Sequence, residues 1–79
     1  MNVCKAVVTR LKEVANTKNM SLYKLQKDSG ISEGTFLSLI YGDRKGVNLT
    51  TLLQLIQTLD ISAKDFFDSP LFDETNLDI

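Results

Sequence analysis

The side chains able to do chemistry in this chain lie mostly between residues 21 and 48. Ser21 and Ser32 each stand just before a short run of helical periodicity. Their hydroxyls can cap a helix start, where free backbone N–H groups also favour anions. Tyr23, Lys24, Tyr41, Arg44, Lys45 and Asn48 add donors and positive charge suited to phosphate oxygens. Glu33, Thr35 and Ser38 carry oxygens that can meet polar edges, and Glu33 can accept from an amino group. Leu37 offers apolar contact, and Gly34 lets backbone approach closely. There is no histidine, and Cys4 is the only cysteine. An intramolecular disulfide is impossible, and neither a zinc site nor any other cofactor is expected. No nucleophile–base set is visible and the chain is too short for a sheltered pocket, so no enzyme is expected.

The elements that must position these residues are short helices. The first is expected to begin after Asn2, a candidate N-cap, with Val7, Leu11 and Val14 as its apolar stripe. Cys4, Val8 and Ala15 widen that stripe, and Asn16, Thr17 and Asn19 mark its end. Met20 can staple the next helix start. A second helix, about 22–29, buries Leu22 or Leu25 and turns Lys24 and Lys27 outward. Gly30 forces the chain to stop and reverse. A third helix, about 33–41, buries Phe36, Leu39 and Ile40, and Gly42 ends it. A helix, a turn of about four residues containing Gly, and a second helix form the motif that sets a helix in a DNA major groove, although such hairpins also serve structure alone. A loop at 43–48 follows. Thr50 is the expected cap of a fourth helix whose apolar face is Leu52, Leu53, Leu55, Ile56 and Leu59. Asp60 suits a left-handed residue after it. Ser62 caps a short fifth helix, about 63–67, and Pro70 blocks continuation. No segment alternates as a strand, so the class is all-α. The expected core is Val7, Leu11, Leu25, Ile31, Phe36, Leu39, Leu52, Leu55, Leu59 and Phe66, with Cys4 as a small buried hydrophobe.

Seventy-nine residues support one small domain, and 43% apolar residues suffice for its core. No apolar run approaches the ~18 residues that cross a bilayer. No basic start with an apolar core and cleavage site is visible, so no signal peptide is expected and a reducing cytoplasm is the default location. The net charge of −1 conceals a division. Residues 1–59 carry eight Lys/Arg against four Asp/Glu, a balance of +4, and residues 60–79 carry one against six, a balance of −5. A basic body attracts phosphates, although opposite solvated surfaces would give the same division. The expected division is a domain at 1–68 and an acidic tail at 69–79.

From Arg10 to Phe67 the chain resembles the phage-repressor family (Cro/C1-type, also called XRE). The matching stretches are Arg10-Leu11-Lys12-Glu13-Val14, Met20-Ser21, Leu25, Gly30-Ile31-Ser32, Thr35-Phe36, Leu39 and Gly42. Leu49, Thr51-Leu52-Leu53, Leu59, Ile61-Ser62 and Phe66-Phe67 complete them. The resemblance implies a five-helix lambda-repressor-like DNA-binding domain with its helix-turn-helix at helices 2 and 3. It also implies a regulator, a repressor above all, that binds double-stranded DNA through the third helix, often as a homodimer on a palindrome. Base contacts then fall to Glu33, Gly34, Thr35, Leu37 and Ser38. Phosphate contacts fall to Ser21, Tyr23, Lys24, Ser32, Tyr41, Arg44, Lys45 and Asn48. The chain departs from the family at Leu22, usually Gln, and at Gln26, usually a small Ala. Ala15 and Ile40 replace an Arg–Glu pair, which packed apolar groups can do at little cost. The loop after the third helix is about one residue longer. The alternative function is a protein-interaction module on the same fold, antitoxin-like or an anti-repressor partner. It is favoured by Leu22, by the sparse reading face and by the mixed apolar and acidic tail. No small-molecule ligand domain is expected within these 79 residues.

Overall fold

Side-chain caps set where each helix begins in the computed structural model, which describes residues 1–79. α1 (Val3–Thr17) follows Asn2, whose Oδ1 accepts from the Lys5 N–H at 2.8 Å. α2 (Leu22–Ser29), α3 (Glu33–Tyr41) and α5 (Ala63–Phe67) follow Ser21, Ser32 and Ser62, each hydroxyl accepting from the N–H three residues on. Each such cap stabilises its helix by about 1 kcal/mol relative to alanine. α4 (Leu49–Thr58) starts earlier than its sequence implies. Asn48 caps it, accepting from the Thr51 N–H at 3.1 Å, and Thr50 lies inside the helix. The preceding loop is tied to α1. Asn2 Nδ2 donates to the Arg44 carbonyl at 3.3 Å, the Cys4 N–H donates to the Lys45 carbonyl at 3.2 Å, and Val47 packs on the core. These distant ties fix where α4 can open.

Helix ends follow backbone preference. Gly30 and Asp60 take left-handed conformations, with φ of +77° and +56°. Asn19 does the same after α1, at φ +55°, as an asparagine can at modest cost.

One apolar cluster joins α1 to α5 and contains all ten expected core residues. Leu53 is not among them. It is 37% exposed, because Leu52, Leu55, Ile56 and Leu59 already fill the inward stripe of α4. Ala15 and Ile40 are both buried in this cluster, so apolar packing occupies the positions where the resembled family pairs charges.

Phe66 sits at the end of α5, fully buried. Arg10 clamps that end to α1: its Nε donates to the Phe66 carbonyl at 2.7 Å and Nη2 to the Asp65 carbonyl at 2.9 Å. The Phe66, Phe67 and Phe72 rings form a trio with centroids 4.9–6.0 Å apart. Phe72 belongs to the first of two 3-10 turns, Pro70–Phe72 and Glu74–Asn76, which lay the C-terminal residues back along the domain. The Asp78 N–H then reaches the Met1 carbonyl at 2.9 Å, and the Met1 ammonium pairs with Asp78 Oδ2 at 2.7 Å. That hydrogen bond and charge hold the Asp78 carboxyl below its ordinary 3.8. Because the folded value is the lower one, the contribution is present above the ordinary value and is lost as pH falls through the depressed one.

Candidate nucleic-acid interface

The turn between α2 and α3 is closed by its own polar groups. The Ser29 hydroxyl donates to the Gln26 carbonyl at 2.9 Å and accepts from the Ile31 N–H at 3.2 Å. Gln26 Nε2 donates to the Ile31 carbonyl at 2.6 Å. This explains a glutamine where the resembled family has a small residue: the amide satisfies a carbonyl that the turn would leave open. Ile31 is buried beneath the turn, and Gly30 supplies its left-handed corner. α3 is therefore held at a fixed angle to α2.

Phe36, Leu39 and Ile40 point from α3 into the core. The helical period then turns Gly34, Leu37, Ser38 and Tyr41 outward. Leu37 is 43% exposed and Tyr41 75%. Glu33 lies at the N-terminal end of this face. It lines a shallow cleft of about 210 Å³ with Leu22, Tyr23, Gln26, Phe36, Leu37 and Tyr41. Thr35 is half-buried on the flank, where its Oγ1 accepts from the Ser32 hydroxyl at 2.8 Å. Of the five expected base-reading residues, four share one surface, and Thr35 is partly committed to the cap.

The expected phosphate-contacting residues divide likewise. Ser21 and Ser32 sit at the N-termini of α2 and α3 with their oxygens engaged as caps. Tyr23 is exposed, with the Lys27 ammonium 5.5 Å from its ring centroid. Lys24 donates to Asp28 at 2.7 Å, so its charge is partly matched within α2. Asn48 spends its oxygen on α4. Lys45 is exposed. Arg44 is half-buried, and its Nε donates to Ser38 Oγ at 3.1 Å.

A further basic strip comes from α1. Lys5, Thr9 and Lys12 share one face and line a groove of about 430 Å³ with Tyr41, Gly42 and Arg44. Their helical spacing is visible in the sequence. That α1 packs beside the end of α3, which brings the strip to the same side, is not.

Cys4 lies under this groove, 2% exposed, with Sγ 3.9 Å from the Leu39 carbonyl. Burial pushes its thiol above the ordinary 9.0, with the Arg44 charge partly opposing. A raised folded value leaves stability unchanged while both states stay protonated; above the ordinary value the unfolded thiol ionises first and stability falls. In the native protein at neutral pH, Cys4 should therefore resist alkylation by iodoacetamide and react only as fast as the fold opens. Reaction at the rate of the denatured chain would show an open site.

Comparison with known proteins bears on this geometry. The model of a family described as a Cro/C1-type HTH DNA-binding domain matches residues 10–70, from the Arg10 clamp through both helices of the turn motif to Pro70. The chain belongs to this family. As a Cro/C1-type domain it is a DNA-binding module of transcription regulation, and its five helices carry the helix-turn-helix at α2 and α3. A solved structure titled "Crystal structure of the prophage Lp1 protein 11" superposes with a TM-score of 0.81 at 28% identity, covering 94% of this chain and 99% of that one. No curated protein matches the sequence. No helix is long and apolar enough to cross a membrane.

Proposed function

We propose that this Cro/C1-type domain is a cytoplasmic transcriptional repressor that lays α3 in the major groove of double-stranded DNA. The observation that carries this reading is the placement of α3. Its outward face is free of core duty and lies between the capped N-termini of α2 and α3 and the Arg44–Lys45 loop. Glu33, Gly34, Leu37 and Ser38 meet base edges, with Thr35 at the flank. Ser21, Tyr23, Lys24, Ser32, Tyr41, Arg44, Lys45 and Asn48 line the two phosphate strands, joined by Lys5 and Lys12 from α1. A homodimer on a palindromic site is the proposed assembly, and occupation of the operator is the means of repression. The prophage source of the similar structure fits a regulator of phage genes. Enzymatic chemistry has no part in this reading.

Titration of labelled duplex at several salt concentrations tests it. Affinity should fall steeply with salt, by about 0.9 in log–log slope for each phosphate neutralised. Lys45→Ala should weaken all sequences alike and flatten the slope by about 1. No binding at low salt, or salt-indifferent binding, would overturn the reading.

Gly34→Ala separates folding from function. A Cβ at Gly34 meets nothing within 4 Å. Alanine there should stabilise the helix by up to about 1 kcal/mol. The same methyl group stands where DNA would approach, so affinity should drop while the melting temperature rises. Unchanged affinity would place the DNA elsewhere.

The alternative, a protein-interaction module, draws on one observation. Leu22, Tyr23, Leu37 and Tyr41 make the α2–α3 cleft more apolar than phosphate contact requires. Co-purification of a stoichiometric protein partner on the full chain, with no DNA bound, would favour it.

A further inference from the structure

We propose that Arg44 is a guanine-reading residue, supplied to the outward face of α3 from the loop behind it and aimed by Ser38. This rests on the DNA-binding reading above and refines it by moving Arg44 from the phosphate set to the base set.

The face that α3 builds from its own residues lacks a forked donor. Glu33, Gly34, Leu37, Ser38 and Tyr41 include no Arg, Lys, Asn or Gln, the side chains that make most two-bond contacts to bases. Gly34 leaves open space on that face, and Ser38 lies one turn further along it. Arg44 reaches back to this point, where its Nε donates to Ser38 Oγ at 3.1 Å. A guanidinium held through Nε still presents Nη1 and Nη2 as a planar pair, the edge that fits guanine O6 and N7. Arg44 is in none of the ion pairs of the chain, so its charge stays available.

Its backbone is fixed as well. The Arg44 carbonyl accepts from Asn2 Nδ2, and the next carbonyl accepts from the Cys4 N–H. Both anchors belong to the start of α1, far away in sequence. The side chain thus leaves a held backbone and is fixed at Nε by the Ser38 hydroxyl, so little freedom is lost on binding. Lys45 differs: it is exposed and its ammonium bonds to nothing in the chain, as suits a mobile phosphate contact.

Selection from a random duplex pool with the full chain, followed by titration of the selected site, tests this. The wild type should select a guanine at one fixed position in each half-site. Replacing that G·C pair by A·T, or its guanine by 7-deazaguanine, should weaken wild-type binding on the order of 10- to 100-fold. Arg44→Lys keeps the charge and loses the fork. It should bind selected and substituted sites within about threefold of each other, since one ammonium cannot match the two-bond geometry. Ser38→Ala should narrow the same ratio while leaving the salt slope unchanged. Thermal melting of each variant confirms folding, which the backbone anchors should preserve. If Arg44→Lys keeps full discrimination at the guanine, or no guanine is fixed, Arg44 does not read a base. If the wild type binds no duplex at low salt, the DNA-binding reading fails with it.

Discussion

Truncating Phe66 to alanine is expected to cost about 3–5 kcal/mol, the range for removing a buried aromatic ring. A 79-residue domain has roughly 4–12 kcal/mol in total, at about 0.05–0.15 per residue, so this one change should leave a substantial unfolded fraction. The cost is high because Phe66 is fully buried and surrounded by parts that cannot collapse into the gap. Phe67 meets it edge-on at 5.1 Å, and Phe72 of the tail lies 6.0 Å away. Arg10 meanwhile holds the backbone of α5 in place through two carbonyls. Urea unfolding followed by circular dichroism measures the loss. A cost under about 1 kcal/mol would mean that the ring is not the keystone between α1, α5 and the tail.

Gly42→Ala is the second large effect, and it acts beside the proposed DNA-contacting face. Gly42 has an extended backbone, so alanine is not excluded by φ. The obstacle is space. The Gly42 N–H donates to the Ser38 carbonyl at 2.9 Å, closing α3, and a Cβ there would stand 2.2 Å from that oxygen. Backbone on both sides must move. The cost should reach the upper part of the overpacking range, about 3 kcal/mol. Gly46→Ala is the control, because its Cβ would meet nothing within 4 Å and stability should change by less than about 0.5 kcal/mol. Beyond stability, Gly42→Ala should swing the loop that carries Arg44 away from Ser38, so affinity for DNA should fall further than the unfolded fraction explains. Equal stability of the two variants would contradict the close approach.

Caps at Asn2, Ser21, Ser32 and Ser62 were legible because a side chain and the N–H three residues on are local partners. The left-handed corner at Gly30 and that at Asp60 were legible for the same reason. The α4 start is not legible locally, because Asn48 and Thr50 are both good caps, and the choice between them is made by ties from residues 44, 45 and 47 to α1 and the core. The exposure of Leu53 is not legible either, because five apolar residues compete for a stripe that holds four. At the interface, the outward face of α3 followed from the burial of Phe36, Leu39 and Ile40. The bond from Arg44 to Ser38 crosses a glycine turn, and the Lys5–Lys12 strip reaches the same side only through packing of α1 on α3. Neither has a local signature. The Gln26 clasp on the turn was visible only as a departure from the family pattern, and its hydrogen bond gives the departure a purpose.

The family and the fold place a DNA-binding helix-turn-helix in this chain; the central proposal is that α3 and its flanking N-termini form the contact surface. Amide chemical-shift mapping of the labelled full chain, titrated at low salt with a duplex selected from a random pool, addresses that surface residue by residue. Perturbations should concentrate at 21–24, 32–41 and 44–48, with weaker ones at Lys5 and Lys12, and should leave Ala63–Ile79 unmoved. Perturbations confined to α5 and the acidic tail, or none at any duplex concentration, would contradict it.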